Sequence, residues 1–323
     1  MLIFSTGLFV GFLILVISAD RFVTGTAAIA RNFGISPLLI GLTIVGLGTS
    51  APEILVAGFA SWEGNPGLAI GNAIGSNIAN IGLVLACTAL VGSISVHSKL
   101  LSRELPILVF ISIACFWAAL GGNLDRTDGV LMLIGLIIFL AWLIRSAQKS
   151  RTADPFPQEI ESEIPENIPT STAILWFIVG LTGLLISSHL LVWAAVNIAQ
   201  AFGVSDIVIG LTIVALGTSL PELAASITSV LKNEDDLAVG NIVGSNIYNL
   251  LAVYSIPALV APGPLNPMVI SRDFPWMIGF TMALFVFAYS KDGNGTITRW
   301  KGGMLLLCYF IYMALLYRQS VLT

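Results

Sequence analysis

Two glutamates stand inside stretches apolar enough to lie in a lipid bilayer, each next to two hydroxyls and a proline. Gly48-Thr49-Ser50-Ala51-Pro52-Glu53 recurs as Gly217-Thr218-Ser219-Leu220-Pro221-Glu222. An ionisable side chain at bilayer depth is costly, so Glu53 and Glu222 read as functional. A proline ring lacks an N–H and collides with the carbonyl four residues back, so Pro52 and Pro221 free the carbonyls of Gly48 and Gly217. Broken helix at that depth is tolerated where it is buried in protein or lines a wet cavity. Carboxylates, hydroxyls and free carbonyls are oxygen donors suited to hard cations such as Ca²⁺ and Na⁺, and soft-metal ligands are absent.

A second polar segment accompanies each glutamate. Gly71-Asn72-x-x-Gly75-Ser76-Asn77-x-x-Asn80 is mirrored by Gly240-Asn241-x-x-Gly244-Ser245-Asn246-x-x-Asn249. Asn72, Ser76 and Asn80 are spaced four and four with Asn77 beside them, which puts them on one helical face. Gly71 and Gly75 on that side are expected to let a neighbouring backbone approach closely and bring the amides against the proline-broken segment; the same pattern also serves as plain helix-packing glue. The candidate cation ligands are therefore Glu53, Glu222, Thr49, Ser50, Thr218, Ser219, Asn80, Asn249, Gly48, Gly217, Ser76, Ser245, Asn77 and Asn246.

These motifs belong to a longer repeat. Residues 20 to 106 return at 189 to 275 with a constant offset of 169, and 24 of 51 positions are identical between 41–91 and 210–260. Ser102-Arg103, followed by an acid, returns as Ser271-Arg272. Hydrophobic residues make up 56% and charged residues 10% of the chain, which marks an all-α membrane protein crossing the bilayer many times. Ten spans are expected near 2–19, 38–60, 68–92, 105–121, 129–146, 172–190, 205–230, 237–260, 274–290 and 302–317. Met1 to Ala19 holds no Lys or Arg, so the first is read as a retained span rather than a signal peptide. Five spans per half is odd, so the second copy enters from the opposite side, giving two inverted-topology repeats, 1–146 and 171–323, joined by a solvated linker at 147–170.

With both termini outside, eleven Lys and Arg lie on the cytoplasmic side, among them Arg31, Arg145, Lys232 and Lys301, against Arg126, Arg272 and Arg318 outside. That bias places the central linker in the cytoplasm of a cell with this protein in its inner membrane. Asp20 and His189, equivalent in the repeat, are read as interfacial. Cys87, Cys115 and Cys308 read as packing residues. The net charge of −4 offers no surface for nucleic acid. Asp292 to Thr296 begins like a calcium loop but has Gly295 at position four and Gly303 at position twelve, so it is read as a turn. No nucleophile–base pair or phosphate loop appears, so the chain is read as no enzyme and without a cofactor.

The chain resembles the sodium/calcium exchanger branch of the cation/calcium antiporter superfamily, in its compact prokaryotic form, on both copies of the Gly-Thr-Ser-x-Pro-Glu and Gly-Asn-x-x-Gly-Ser-Asn-x-x-Asn motifs. The resemblance implies two inverted five-helix bundles with ion sites where the broken second and seventh helices meet the third and eighth. It implies that Glu53 and Glu222 are the shared Ca²⁺ and Na⁺ carboxylates, helped by Thr49, Ser50, Thr218, Ser219, Asn80 and Asn249. Several members carry Asp at the position of Asn249, so this chain departs there. The expected activity is Ca²⁺ for Na⁺ antiport by alternating access, with Ca²⁺/H⁺ antiport on the same fold and a cation channel as the alternatives. The partners expected are the two ions and the bilayer; a monomer is compatible.

Overall fold

The computed structural model describes residues 2–35, 37–96, 101–153, 168–201, 215–289 and 295–322. The chain folds as α1 Leu2–Phe33, α2 Pro37–Ile40, a π-helical turn Gly41–Val45, α3 Gly46–Thr49, α4 Ala51–Trp62, α5 Pro66–Ala79, a π turn Asn80–Leu85 and α6 Ala86–Val91. Strand β1 Ile94–Val96, α7 Leu101–Ala119, β2 Asn123–Leu124 and α8 Arg126–Ala153 follow. The next elements are α9 Thr170–Ala201, α10 Ala215–Thr218, α11 Leu220–Leu231 and α12 Asp235–Tyr248. A π turn Asn249–Val253, α13 Ser255–Val260, β3 Gly263–Pro264, a π turn Val269–Asp273, α14 Phe274–Ala288, β4 Gly295–Ile297 and α15 Arg299–Leu322 complete it.

Seven helical stretches are long and apolar enough to cross a bilayer, and the bent pair Gly41–Thr49 and Ala51–Trp62 makes an eighth. Helix α7, 19 residues, covers the expected fourth span. The expected seventh span, 205–230, is described only from Ala215 onward, and the turn expected at Asp292–Thr296 only from Gly295 onward. Several helices outrun the expectation. The first continues past residue 19 to Phe33, and α8 runs through 147–153 into what was read as linker. Polar residues at a helix end in water keep the backbone bonds of the helix going, whereas hydropathy marks only the part inside lipid. The described part of that expected turn, Gly295 and Thr296, together with Ile297 pairs as a strand with Ile94–Val96.

Burial sorts the helices into shells. In the Pro66–Val91 and Asp235–Val260 stretches 72% and 83% of the apolar window is buried, against 22–33% for the other five, so this pair forms the centre. Helices α1 and α9 lie against each other along much of their length. A Cβ on Gly25 would stand 2.6 Å from the backbone N of Phe177, so only glycine permits that crossing. Two short antiparallel ladders join the halves: Ile94 pairs with Ile297, and Leu124 with Gly263. Strand β3 starts 169 residues after β1, so the two ladders are repeat equivalents.

Candidate functional site

Both proline-broken segments bend at the serine before the proline. Ser50 and Ser219 have ψ near 6° and 4°, outside the helical range, and the axes on either side of Ser50 differ by 48°. Pro52 and Pro221 occupy the first turn of α4 and α11, where a missing N–H costs nothing. The next amides close normally, Ile54 N–H donating to Ser50 O at 3.2 Å and Leu223 N–H to Ser219 O at 3.0 Å. Each glutamate therefore projects from the first turn of a fresh helix, where the exposed N–H groups and the dipole favour negative charge.

Glu53 and Glu222 are each 1% exposed. The hydroxyl of Ser50 donates to Glu222 Oε1 at 3.4 Å, Thr49 also reaches Glu222, and Thr218 reaches Glu53, so each carboxylate meets the hydroxyls of the opposite repeat. Their charges act on one another across the site. The second oxygen, Oε2, of both glutamates has no hydrogen-bond partner.

Helices α5 and α12 supply the amides. Asn72 Nδ2 donates to the Glu53 carbonyl at 3.2 Å and Asn241 Nδ2 to the Glu222 carbonyl at 3.5 Å, the same bond in both repeats. Asn80 Nδ2 donates to Asn246 Oδ1 at 3.1 Å and Asn77 Nδ2 to Met277 Sδ at 3.7 Å. That leaves the Oδ1 atoms of Asn77, Asn80 and Asn249 and the Oγ of Ser219 buried and unpartnered. With the two Oε2 atoms they make six unpartnered hard oxygen donors, carried by α4, α5, α11 with the serine before it, and the two π turns that follow α5 and α12. Orphaned buried oxygens are expensive, and oxygens of these types are the donors that hard cations take as ligands. Among the described residues no group of three or more His, Cys, Asp or Glu could hold a metal, so a cation here rests on two carboxylates and neutral oxygens.

Asn80 and Asn249 each open a π turn, Asn80–Leu85 and Asn249–Val253. Such bulges widen the helix by one residue and occur often at functional sites. Nothing in the spacing of the asparagines announces them.

Three expectations need correction or completion. The carbonyl of Gly217 is not left without a partner, because the buried hydroxyl of Ser188 donates to it at 2.6 Å. Ser188 lies on α9, and its repeat equivalent is Ala19, so the reading of the motif alone missed it. Gly71 and Gly75 do not mediate close approach: a Cβ on either would meet nothing within 4 Å. Their equivalents differ, Gly240 being buried and a Cβ on Gly244 standing 2.7 Å from Leu42 O. Asp20 is more than interfacial, since Lys232 Nζ lies 2.7 Å from its Oδ1.

The remaining candidates divide likewise. Thr49 Oγ1 donates to Asn241 Oδ1 at 3.0 Å and lies 3.4 Å from Ser245 Oγ, closing one end of the cluster. Asn241 Nδ2 also donates to Ser226 Oγ at 3.1 Å. Ser76 is buried and Gly48 half-buried. Outside the cluster, Glu104 is fully buried with both oxygens unpartnered, while its equivalent Asp273 accepts from Arg272 Nε at 2.6 Å and from Tyr312 OH at 3.0 Å.

The profile of the family described as sodium/calcium exchanger protein matches residues 4–145 and 172–318, nearly the whole chain. The chain belongs to the sodium/calcium exchanger family. CaxA of Alkalimonas amylolytica is 45% identical over 317 residues, covering 98% of this chain and 99% of its own. The sodium/calcium exchanger MaX1 of Methanosarcina acetivorans is 28% identical over 349 residues, covering 96% and 97%. The solved structure of the sodium-calcium exchanger NCX_Mj without Na⁺ and Ca²⁺ superposes with a TM-score of 0.84 at 33% identity, covering 98% of this chain and all of that one. The family is one of exchangers, and the long apolar helices agree with a place in a membrane.

Proposed function

We propose that this exchanger moves Ca²⁺ out of the cytoplasm against inward Na⁺, both ions using one site built on Glu53 and Glu222. The observation that carries this is the pair of buried carboxylates at equivalent helix breaks, each with an unpartnered oxygen among unpartnered amide and hydroxyl oxygens. Glu53, Glu222, Asn77, Asn80, Asn249 and Ser219 supply the open donors. Thr49, Ser50 and Thr218 hold the carboxylates, while Ser76, Ser245, Asn246 and the Gly48 and Gly217 carbonyls shape the surrounding wall. Two carboxylates balance one Ca²⁺ or two Na⁺. Competition for shared ligands couples the fluxes, since the donors cannot hold both ions at once.

In this reading the chain crosses the inner membrane ten times as two inverted five-helix repeats, 1–146 and 171–323, with both termini outside and the 147–170 linker inside. The equivalence of the β1–β4 and β2–β3 ladders, at opposite chain positions, supports the inversion. Alternating access is supported by residues identical in sequence but not in surroundings. Asn72 is half-buried and Gly71 exposed, whereas Asn241 and Gly240 are buried. Helix α11 packs against α1 and α9, while its equivalent α4 makes no comparable packing with either among the described residues. The α4–α5 side is thus less covered than the α11–α12 side, which supports an outward-facing state with the glutamates themselves buried. The chain is proposed to work as a monomer, since one chain holds all the donors.

The test is Ca²⁺ uptake into vesicles holding the purified protein, with and without an outwardly directed Na⁺ gradient at clamped pH. Stimulation by Na⁺ at fixed pH is expected. Uptake that follows a pH gradient and ignores Na⁺ would replace Na⁺ by H⁺ on the same fold.

A further inference from the structure

The sealed end carries an ion pair between a lysine and an aspartate, and the repeat equivalents of these positions are a glutamate and a histidine, with the acidic and basic partners exchanged. Lys232, at the end of α11, meets Asp20 on α1 with N–O separation of 2.7 Å. Adding or subtracting the offset of 169 turns Lys232 into Glu63, at the end of α4, and Asp20 into His189, on α9. A basic–acidic pair at one end is thus answered by an acidic–basic pair at the other. Here Glu63 and His189 are both exposed, and among the described residues neither is in an ion pair. That is what the packing requires: α11 lies on α1, whereas α4 lies apart from α9.

We propose that the outer end closes on an ion pair between Glu63 and His189, the counterpart of the Lys232–Asp20 pair that closes the inner end, so that protons outside favour the outward-closed state. The proposal rests on the alternating-access reading above. Equivalent helices that exchange environments bring equivalent residues together, so the closure that puts α9 on α4 carries His189 to Glu63. A neutral imidazole gives that contact a weak hydrogen bond, and an imidazolium gives it a charge pair. Imidazole changes charge in the pH 5–8 range, so the inner latch is permanent in charge and the outer one conditional on protons.

Other charges do not compete. Helix α9 packs on α1, α3, α10 and α11. Residues 2–19 of α1 hold no Asp, Glu, Lys, Arg or His, α3 and α10 hold none, and α11 holds only Glu222, buried in the ion site. Around Glu63, α5, α13 and the Asn249–Val253 turn hold none, and α3 and α4 hold only buried Glu53.

The test uses Gly71→Cys, at the exposed position on α5 whose equivalent Gly240 is buried, where an added Cβ meets nothing within 4 Å. Its labelling from outside by a membrane-impermeant maleimide is measured in vesicles, as a ratio to the same variant carrying His189→Asn, which cancels the thiol's own pH dependence. Lowering external pH from about 8 to about 6 is expected to reduce that ratio about 2- to 5-fold, the range of an exposed ion pair. Glu63→Gln removes the effect. Glu63→Lys opens the outer end at low pH, and adding His189→Asp restores slow labelling at every pH. A flat ratio in the parent, or a double exchange that labels as fast as Glu63→Lys alone, overturns the latch. Na⁺-driven Ca²⁺ uptake measured in the same vesicles separates the two failures: uptake with a flat ratio rejects only the latch, and its absence rejects the exchange reading.

Discussion

Replacing Glu53 by Gln should move stability in opposite directions with and without cation. Both glutamates are 1% exposed, and each has one oxygen with no partner, so without cation the site holds two facing carboxyl groups that are buried and incompletely satisfied, at a cost. Exchanging one of two facing acids for an amide of the same shape removes their mutual repulsion and the desolvation cost of one carboxylate. The cation-free variant is therefore expected to melt at the wild-type temperature or above it. With Ca²⁺ the sign reverses. Leaving a buried ion with one of its two balancing charges removed costs about 3–5 kcal/mol, a loss of roughly 100-fold or more in affinity. At a free Ca²⁺ 100 times the wild-type dissociation constant, the wild type gains about 2.7 kcal/mol from binding and the variant at most about 0.4. Melting of purified protein across a Ca²⁺ titration reads both quantities, and Glu222→Gln should behave alike. A variant destabilised equally at all Ca²⁺ concentrations would refute the reasoning and make Glu53 a structural residue.

Asn249→Asp adds an acid where both amide atoms lack partners; it should tighten Ca²⁺ binding or make it pH-dependent, and an unchanged affinity and pH profile would put Asn249 outside the cluster. Glu234, in the turn between α11 and α12, has its carboxyl pushed up from 4.5 to about 7 by burial, with Asp236 and Asp235 adding and Arg31 opposing. The folded state holds that proton more tightly than the unfolded chain, so stability present below about pH 4.5 is lost as pH rises through about 7, by at most about 3 kcal/mol. Glu234→Gln should flatten melting temperature against pH over that window, and a wild-type-like slope would reject the assignment. Gly244→Ala, with Leu42 O 2.7 Å from the new Cβ, should cost about 1–3 kcal/mol, and Gly75→Ala, with open space around it, close to nothing; equal melting temperatures would contradict the packing difference.

Much of the fold is legible because the repeat and the hydropathy are carried by residue type. The helices at Pro66–Val91 and Asp235–Val260 lie within two residues of the spans expected at 68–92 and 237–260. The breaks before Pro52 and Pro221 follow from ring sterics alone. The asymmetry between Gly75 and Gly244 could not be read in the same way. Identical motifs fold into different surroundings when the two halves share one moving site, and a sequence does not say which half is sealed. The bond from Ser188 to Gly217 joins residues on separate helices with no periodicity connecting them. The π turns depend on crowding around an amide rather than on any residue preference.

Those turns act on the helix as a one-residue frameshift acts on a message. An α-helix turns by about 100° per residue, so a single extra residue in one turn rotates everything beyond it by roughly that angle. A wheel drawn through Pro66–Val91 therefore has two phases. Before Asn80 the buried side includes Ser76 and Asn77 at the ion cluster; after the turn it includes Ala86 and Ala89, against Gly302 of α15. Deleting one residue between 80 and 85 could leave every backbone bond made and still point the second half of the helix at the wrong partners. The same holds for Asn249–Val253. Relatives of this chain can vary in loop length, but across these two turns the residue count is part of the structure.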